Sequence, residues 1–310
     1  MTVAHVDDVE PVVRDAGDIR ATFRLVGQAA GATAVGVARI DVEPHCRPGP
    51  VHQHASEEEI FFVLEGSGLA WMDGAVHPIA PGDAIVCLAG GPEHTIVAGD
   101  EGISVLAYGE NHAPPLVRLP RAGMVRRGGI WLEASHDDPL EREAAAGPLE
   151  LPAPTPRPPC SVALEDVEPE TDEIGEFAIT ERDVARAAGS VRSGLRHNVV
   201  PPGRLNCPPH WHAAEHELFV VLDGEATLEL YDNRATLAEE HALRRGHCVS
   251  RPAGTNLAHM LRAGDRGLTY LGYGTRDTGE IVYYPRSKKA WLGRVLVRVE
   301  PIEDYWEGEI

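Results

Sequence analysis

Two histidines one residue apart, with a glutamate five residues further on, occur twice in this chain: His52, His54 and Glu59, then His210, His212 and Glu217. In extended backbone, residues i and i+2 leave the same face, so each pair of imidazoles is able to converge on one ion. Glu59 opens an apolar run from Ile60 to Leu64 that stops at Glu65-Gly66, and Glu217 opens one from Leu218 to Leu222 that stops at Asp223-Gly224. A strand closed by a turn is the reading of both, so the carboxylate comes from the strand neighbouring the histidines. Two imidazoles and one carboxylate leave coordination positions open, a set suited to Fe(II) and, with further oxygen donors, to Mn(II), Ni(II) or Zn(II).

The two clusters share one register. His52 and His210, His54 and His212, Glu59 and Glu217, Gly66 and Gly224, and Gly31 and Gly189 are each 158 residues apart. The offset then grows to about 165, because residues 232 to 242 make a longer connection, and holds for His94 with His259, Tyr108-Gly109 with Tyr273-Gly274, and Pro120-Arg121 with Pro285-Arg286. The chain is an internal duplication.

Each half resembles a cupin, and the whole resembles a bicupin. The family's first motif, a glycine, then HxH, Glu and a later Gly, is matched at His52, His54, Glu59 and Gly66 and again at His210, His212, Glu217 and Gly224. Its second motif is matched by Gly82 and His94, and by Gly246, Pro252-Ala253-Gly254 and His259. The departures fall on the loop before the last histidine: Leu88-Ala89 stands where the family places its proline, and four residues rather than two separate Gly254 from His259. The resemblance implies an all-β chain of two tandem double-stranded β-helix (jelly-roll) barrels with short helices and a proline-rich linker. It implies metal ligands His52, His54, Glu59 and His94 in one barrel and His210, His212, Glu217 and His259 in the other.

The rest of the chain must position these residues. A length of 310 is enough for two cores. Residues 136–160 hold seven prolines and read as an extended linker, giving an N-terminal unit at 1–135 and a C-terminal unit at 161–310. Residues 163–183 are acidic and read as a solvated lead-in to the second unit, and the tail after Arg286 reads as docked on a barrel. If Glu59 points inward, Phe61 and Val63 line one pocket, and Phe219 and Val221 the other. The outward rows Ile60, Phe62, Leu64 and Leu218, Val220, Leu222 then require a covering sheet, either between the halves or between subunits of a homodimer. Glu57 and Glu58 compete with Glu59 as ligand, and Glu215 with Glu217; the spacing to the motif glycines favours Glu59 and Glu217. His216 and Trp211 face away and pack. Cys207, three residues before His210, reads as an ordinary buried thiol. His45, His77, His112, His197, His241 and His247 have no partner spacing.

Composition narrows the function. With 28 basic and 48 acidic residues the formal charge is −20, which disfavours nucleic acid and anionic membranes as partners and leaves a small-molecule substrate. Lysine occurs only at Lys288 and Lys289, which removes Schiff-base chemistry from the repeat cores. Neither a secretory leader nor an 18-residue apolar span is present, so a cytoplasmic protein is expected. The five cysteines do not pair across the repeat, which argues against a disulfide framework. The first functional expectation is a dioxygenase-type oxidoreductase whose Fe(II) or Mn(II) chelates the substrate. The alternatives are a non-redox metal-dependent isomerase or lyase such as a decarboxylase, and a binding bicupin without turnover. Glu59 and Glu217 serve as bases only if their bond to the ion is labile. His210-Trp211-His212 locally resembles the oxalate decarboxylase branch of bicupins, whereas the first half carries Gln53 between its histidines.

Overall fold

The computed structural model describes residues 3–111, 115–127, 130–132, 138–299 and 306. His112, Tyr305 and the expected unit boundary at 135 lie outside them. Short runs of β-branched and aromatic residues separated by Gly turns form strands throughout, and each half closes into a barrel from one eight-stranded and one four-stranded sheet. In the first half the large sheet runs in the order Ser161–Ala163, Asp83–Cys87, Glu59–Met72, His94–Glu110, Val35–Val42, Ile19–Arg24 and Val12–Ala16, with Ala75–Ile79 also on Glu59–Met72. In the second it runs Val3–His5, His247–Arg251, Glu217–Tyr231, Ala258–Thr275, Ser193–Val200, Phe177–Asp183 and Glu170–Ile174, with Leu237–Arg244 on Glu217–Tyr231. The fold is the all-β double barrel that the resemblance implied.

The division at 136–160 is crossed twice by strand exchange. Val3–His5 pairs antiparallel with His247–Arg251 of the second sheet, and Ser161–Ala163 pairs with Asp83–Cys87 of the first. The outward apolar rows explain why the halves lie close enough for this. Ile60, Phe62, Leu218 and Val220 belong to one buried cluster with Tyr108 and Tyr273, whose rings stack with centroids 5.4 Å apart, and Leu64 and Leu222 pack on its edge. The rows therefore cover one another inside the chain. Phe61 and Val63 face the first barrel's own core, and Phe219 and Val221 the second's.

The motif glycines have a steric reason. Gly66 and Gly224 both have φ near +76°, each beside a register shift in the long strand, and an added Cβ would lie 2.2 Å from Gly102 O or 2.1 Å from Gly267 O. Only glycine allows the bulge that lets these long strands turn from one end of the barrel to the other.

Two segments differ from expectation. The proline-rich stretch contains a helix, Pro139–Ala145, capped by Asp138, and it straps the first barrel rather than hanging free. Its Glu143 is fully buried against Arg47 (2.6 Å) and Arg121 (2.8 Å), and Arg157 grips Asp83 with two hydrogen bonds of 2.7 and 2.8 Å. Within residues 163–183 a 3-10 turn, Leu164–Asp166, leads into a β-hairpin at the sheet edge, Glu170–Ile174 with Phe177–Asp183, in place of the expected solvated lead-in. Their acidic side chains sit on an exposed edge, which hid the strand alternation. The tail contributes Lys289–Trp291 and Leu296–Arg298 to the second small sheet.

Candidate metal centres

Backbone pairing brings the first cluster together. His52 N donates to His94 O (3.1 Å) and His94 N to His52 O (2.8 Å), so these two histidines face each other across a two-bond bridge. Gln53–His54 pairs with the 116–119 strand, and Glu59 opens the strand next to His94–Glu110. One donor atom each from His52, His54, Glu59 and His94 lies within 4.8 Å of the others. The Nε2 atoms of His52, His54 and His94 stand 3.1, 3.6 and 3.1 Å from a single oxygen, Glu59 Oε2.

The second cluster is built likewise. His210 and His259 exchange backbone hydrogen bonds of 3.3 and 2.8 Å, Trp211–His212 pairs with Val282–Tyr284, and Glu217 opens its long strand. His210, His212 and Glu217 form the compact group. His259 joins it through Glu217, its Nε2 3.0 Å from Oε2, with His212 Nε2 at 3.3 Å from the same oxygen. All eight residues expected to gather at two sites do so.

The outer hydrogen bonds fix the rings. His52 Nδ1 faces Pro50 O (3.0 Å), His94 Nδ1 faces Pro92 O (3.0 Å) and His210 Nδ1 faces Pro208 O (2.9 Å). A carbonyl only accepts, so Nδ1 carries the hydrogen and a neutral ring turns its Nε2 lone pair inward. In the first cluster that lone pair meets a carboxylate oxygen, acceptor against acceptor at 3.1 Å. Only a positive centre between them relieves this, either a proton or a cation. In the second cluster His212 Nε2 and Glu217 Oε2 are buried and have no hydrogen-bond partner among the described residues. Three imidazoles and one carboxylate are a donor set for a divalent first-row ion, and the residues fit one at both places.

Burial and neighbouring imidazoles lower one histidine in each cluster, His52 beside His94 and His210 beside His259, and the remaining groups shift differently. Burial would raise Glu59, but the three imidazoles hold it well below the usual carboxylate range. His54 rises to about 9, because Glu57 and Glu59 outweigh burial, and His94 also rises, with Cys87 and Glu59 overriding burial. In the second cluster burial dominates: His210 falls to about 3, with His259 adding to the depression, and His259 is lowered too. Glu217 is lowered, its own burial overcome by His212 and His259.

The competing glutamates have separate tasks. Glu57 Oε2 lies 3.2 Å from His54 Nδ1 and orients that ring. Glu58 points the other way and is held by the second barrel. Glu280 was not anticipated: its carboxylate accepts from His212 Nδ1 (3.1 Å) and from the N–H groups of Ala213, Ala214 and Glu215. It comes from a distant loop outside the repeat register, so no spacing pointed to it. Cys207 Sγ lies 3.6 Å from His210 Nδ1, and burial pushes its thiol upward, which keeps it neutral. Trp211 donates to Asn233 and packs on Tyr283, and His216 Nδ1 accepts from Ala253 N, so both face away from the centre.

A family profile described as the Cupin domain matches residues 38–108 and 196–269. No curated protein matches the chain. Among solved structures, oxalate decarboxylase from Bacillus subtilis at pH 4.6 is similar with a TM-score of 0.62 and 17% identity, over 88% of this chain and 75% of that one. A Lactobacillus farciminis oxalate decarboxylase formate complex is similar with a TM-score of 0.60 and 15% identity, over 89% and 86%. A Bacillus subtilis oxalate decarboxylase studied for its Mn(II) centres matches with a TM-score of 0.59 and 16% identity, over 88% and 76%. Among the described residues no helix is long and apolar enough to cross a membrane.

Proposed function

We propose that this chain, which belongs to the cupin superfamily as a bicupin with two strand-exchanged domains, is a metal-dependent lyase that removes CO₂ from a small carboxylate. The observation that carries the reading is the pair of His₃Glu clusters, whose inward lone pairs and buried carboxylates call for a divalent ion. The likeness to oxalate decarboxylases across both domains favours the decarboxylase alternative over the dioxygenase expected first, and favours Mn(II) over Fe(II), Ni(II) or Zn(II). When bound, the ion supplies Lewis-acid polarisation of a coordinated carboxylate oxygen.

His52, His54, Glu59 and His94 would hold one ion, and His210, His212, Glu217 and His259 the other. Glu57 and Glu280 keep the second histidine of each pair aimed inward, and the carbonyls of Pro50, Pro92 and Pro208 do the same for three more rings. Phe61 beside His94, and Phe219 beside His259, exclude water from one side of each centre. Glu59 and Glu217 are ionised ligands in this reading, and either one accepts a proton only when its bond to the ion opens.

The test is a balance sheet of gas and metal. Protein loaded with manganese is given oxalate and other small carboxylates while CO₂ release and oxygen uptake are followed together. Release of CO₂ without matching oxygen consumption supports the lyase, and stoichiometric oxygen uptake returns the dioxygenase. His52→Ala/His54→Ala and His210→Ala/His212→Ala should each remove about half of the bound metal, measured by mass spectrometry.

A further inference from the structure

The duplication keeps the ligands and reverses the charge at the two mouths. Arg14 lies opposite Ala21 on the Val12–Ala16 strand, and 158 residues later, at the same rung opposite Ile179, stands Asp172. By the same offset Phe23 becomes Glu181 and Gly49 becomes Cys207. Arg14 leans into the first barrel with its guanidinium carbon 4.0 Å over the Phe23 ring and Nη1 donating to Pro48 O (3.2 Å). A Cβ on Gly49 would come within 2.7 Å of that Nη1, so the glycine three residues before His52 is what makes room for the cation. No carboxylate pairs with Arg14 among the described residues, in contrast to Arg47, which is bound by both Asp18 and Glu143. Asp172 and Glu181, the repeat counterparts of Arg14 and Phe23, line the cavity over the second centre, so the repeat sets Arg14 on the matching wall of the first barrel.

The second mouth has the opposite character. A cavity of about 630 Å³ opens on His210, His212, Glu217 and His259, and Asp172, Glu181 and Glu215 line it. Two cations stand on the same wall and both are paired with acids, Arg196 with Glu181 (3.8 Å) and Asp183 (3.7 Å), and Arg276 with Asp183 (3.3 Å). Asn198 also lines the cavity. It is 3% exposed, its Nδ2 donates to Arg196 O, and its Oδ1 has no hydrogen-bond partner among the described residues. A buried acceptor left open in a cavity marks the place of a donor on a ligand.

We propose that the two centres take ligands of opposite polarity: the first binds a carboxylate through Arg14, and the second, walled by Asp172 and Glu181 with Asn198 Oδ1 open, takes a hydroxyl- or ammonium-bearing ligand. This rests on the metal-centre reading and assigns the carboxylate chemistry to the N-terminal barrel. A guanidinium on an aromatic face with no described carboxylate in ion-pair contact stays available to an incoming anion. Carboxylates crowding the second mouth repel the same anion, and the two rows of side chains select between ligands.

The test uses full-length, manganese-loaded protein with one centre disabled at a time. His210→Ala/His212→Ala leaves the first centre and His52→Ala/His54→Ala the second, and each is titrated calorimetrically with malonate and with ethanolamine. The first centre should bind malonate, and Arg14→Gln should weaken this by about ten-fold or more with manganese content unchanged, Arg14→Lys recovering part of it. The second centre should bind ethanolamine and bind malonate only after Asp172→Arg. Equal malonate affinity at both centres, or an Arg14→Gln variant that binds malonate as before, overturns the proposal. If malonate binding follows Arg14 and neither oxalate nor any other small carboxylate releases CO₂, the decarboxylase reading falls and this one stands. Should manganese not load, the same titrations on metal-free protein decide, because Arg14 needs no ion to attract malonate.

Discussion

Glu58 offers the sharpest test of how the barrels are joined. Its side chain leaves the first barrel beside Glu59 and ends in the second, where its carboxylate accepts from Ser190 Oγ (2.7 Å), Ser193 Oγ (2.9 Å), Val191 N (3.0 Å) and Arg192 N (3.2 Å), at 1% exposure. Glu58→Ala strands these donors unequally. Ser190 Oγ still reaches Ser193 O at 2.7 Å, and the hydroxyls lie 3.3 Å apart, so both serines find other partners. The two backbone N–H groups lose the carboxylate that holds them, and each costs about 1–3 kcal/mol if left unpaired. Removing a buried carboxylate returns part of its desolvation cost. The net loss is about 3 kcal/mol. Glu58→Gln keeps a carbonyl oxygen for the N–H groups, and its amide faces hydroxyls free to turn and accept, so the loss is about 1 kcal/mol. Guanidinium unfolding followed by fluorescence reads both values, with manganese content as a control on neighbouring Glu59. An alanine variant within about 0.5 kcal/mol of the parent, or a glutamine variant as weak as the alanine one, refutes the reasoning.

Three further outcomes are expected. Burial, beside Asp172 and Glu170, raises the Glu181 carboxyl above its ordinary value despite Arg196, so its contribution is fully present below the unfolded value and is lost as pH rises through the folded one. Glu181→Gln should therefore raise the melting temperature at pH 7 and leave it unchanged near pH 3, and a constant difference across that range would show that the charge is not the cause. Arg47→Ala takes one of two guanidinium partners from the fully buried Glu143, leaving Arg121, and also strips Asp18 of its partner, so it should cost about 3 kcal/mol in chemical denaturation, whereas an exposed ion pair would cost under about 1 kcal/mol. Gly224→Ala sets a Cβ against Gly267 O in left-handed backbone and should cost about 2 kcal/mol or more by the same assay; a near-neutral result would mean that the bulge is not required.

Much of the architecture was legible because a duplicated pattern is self-checking. Either HxH alone is two polar residues near a turn, and the repeat at one offset is what gave the histidines, both glutamates and the bulge glycines a common structural demand. The run Glu57-Glu58-Glu59 shows where local reasoning did not suffice: the sequence left Glu57 and Glu58 as competitors of Glu59, and the contacts put Glu57 on His54, Glu59 on the imidazoles and Glu58 in the other barrel. Glu280 was hidden because a loop brings it to His212 from 68 residues away, outside any repeat. The 163–183 hairpin was hidden by its own chemistry. Edge strands tolerate charge on both faces, so acidic residues there imitate a solvated tail.

The same hairpin explains how two copies of one barrel come to differ. Ligand positions answer to several constraints at once: His52 and His94 share a backbone bridge, their rings are tied to proline carbonyls, and Glu59 starts the central strand. Changing any of them alters the centre itself. Arg14 and Asp172 answer to fewer. They sit on outer strands, paired on one side only by their neighbours Ile19–Arg24 and Phe177–Asp183, and a change of charge there leaves the ladder intact. The outer hairpin is thus the part of each barrel that alters what approaches the centre without altering the centre, and it is where the two halves of this chain have opposite charge.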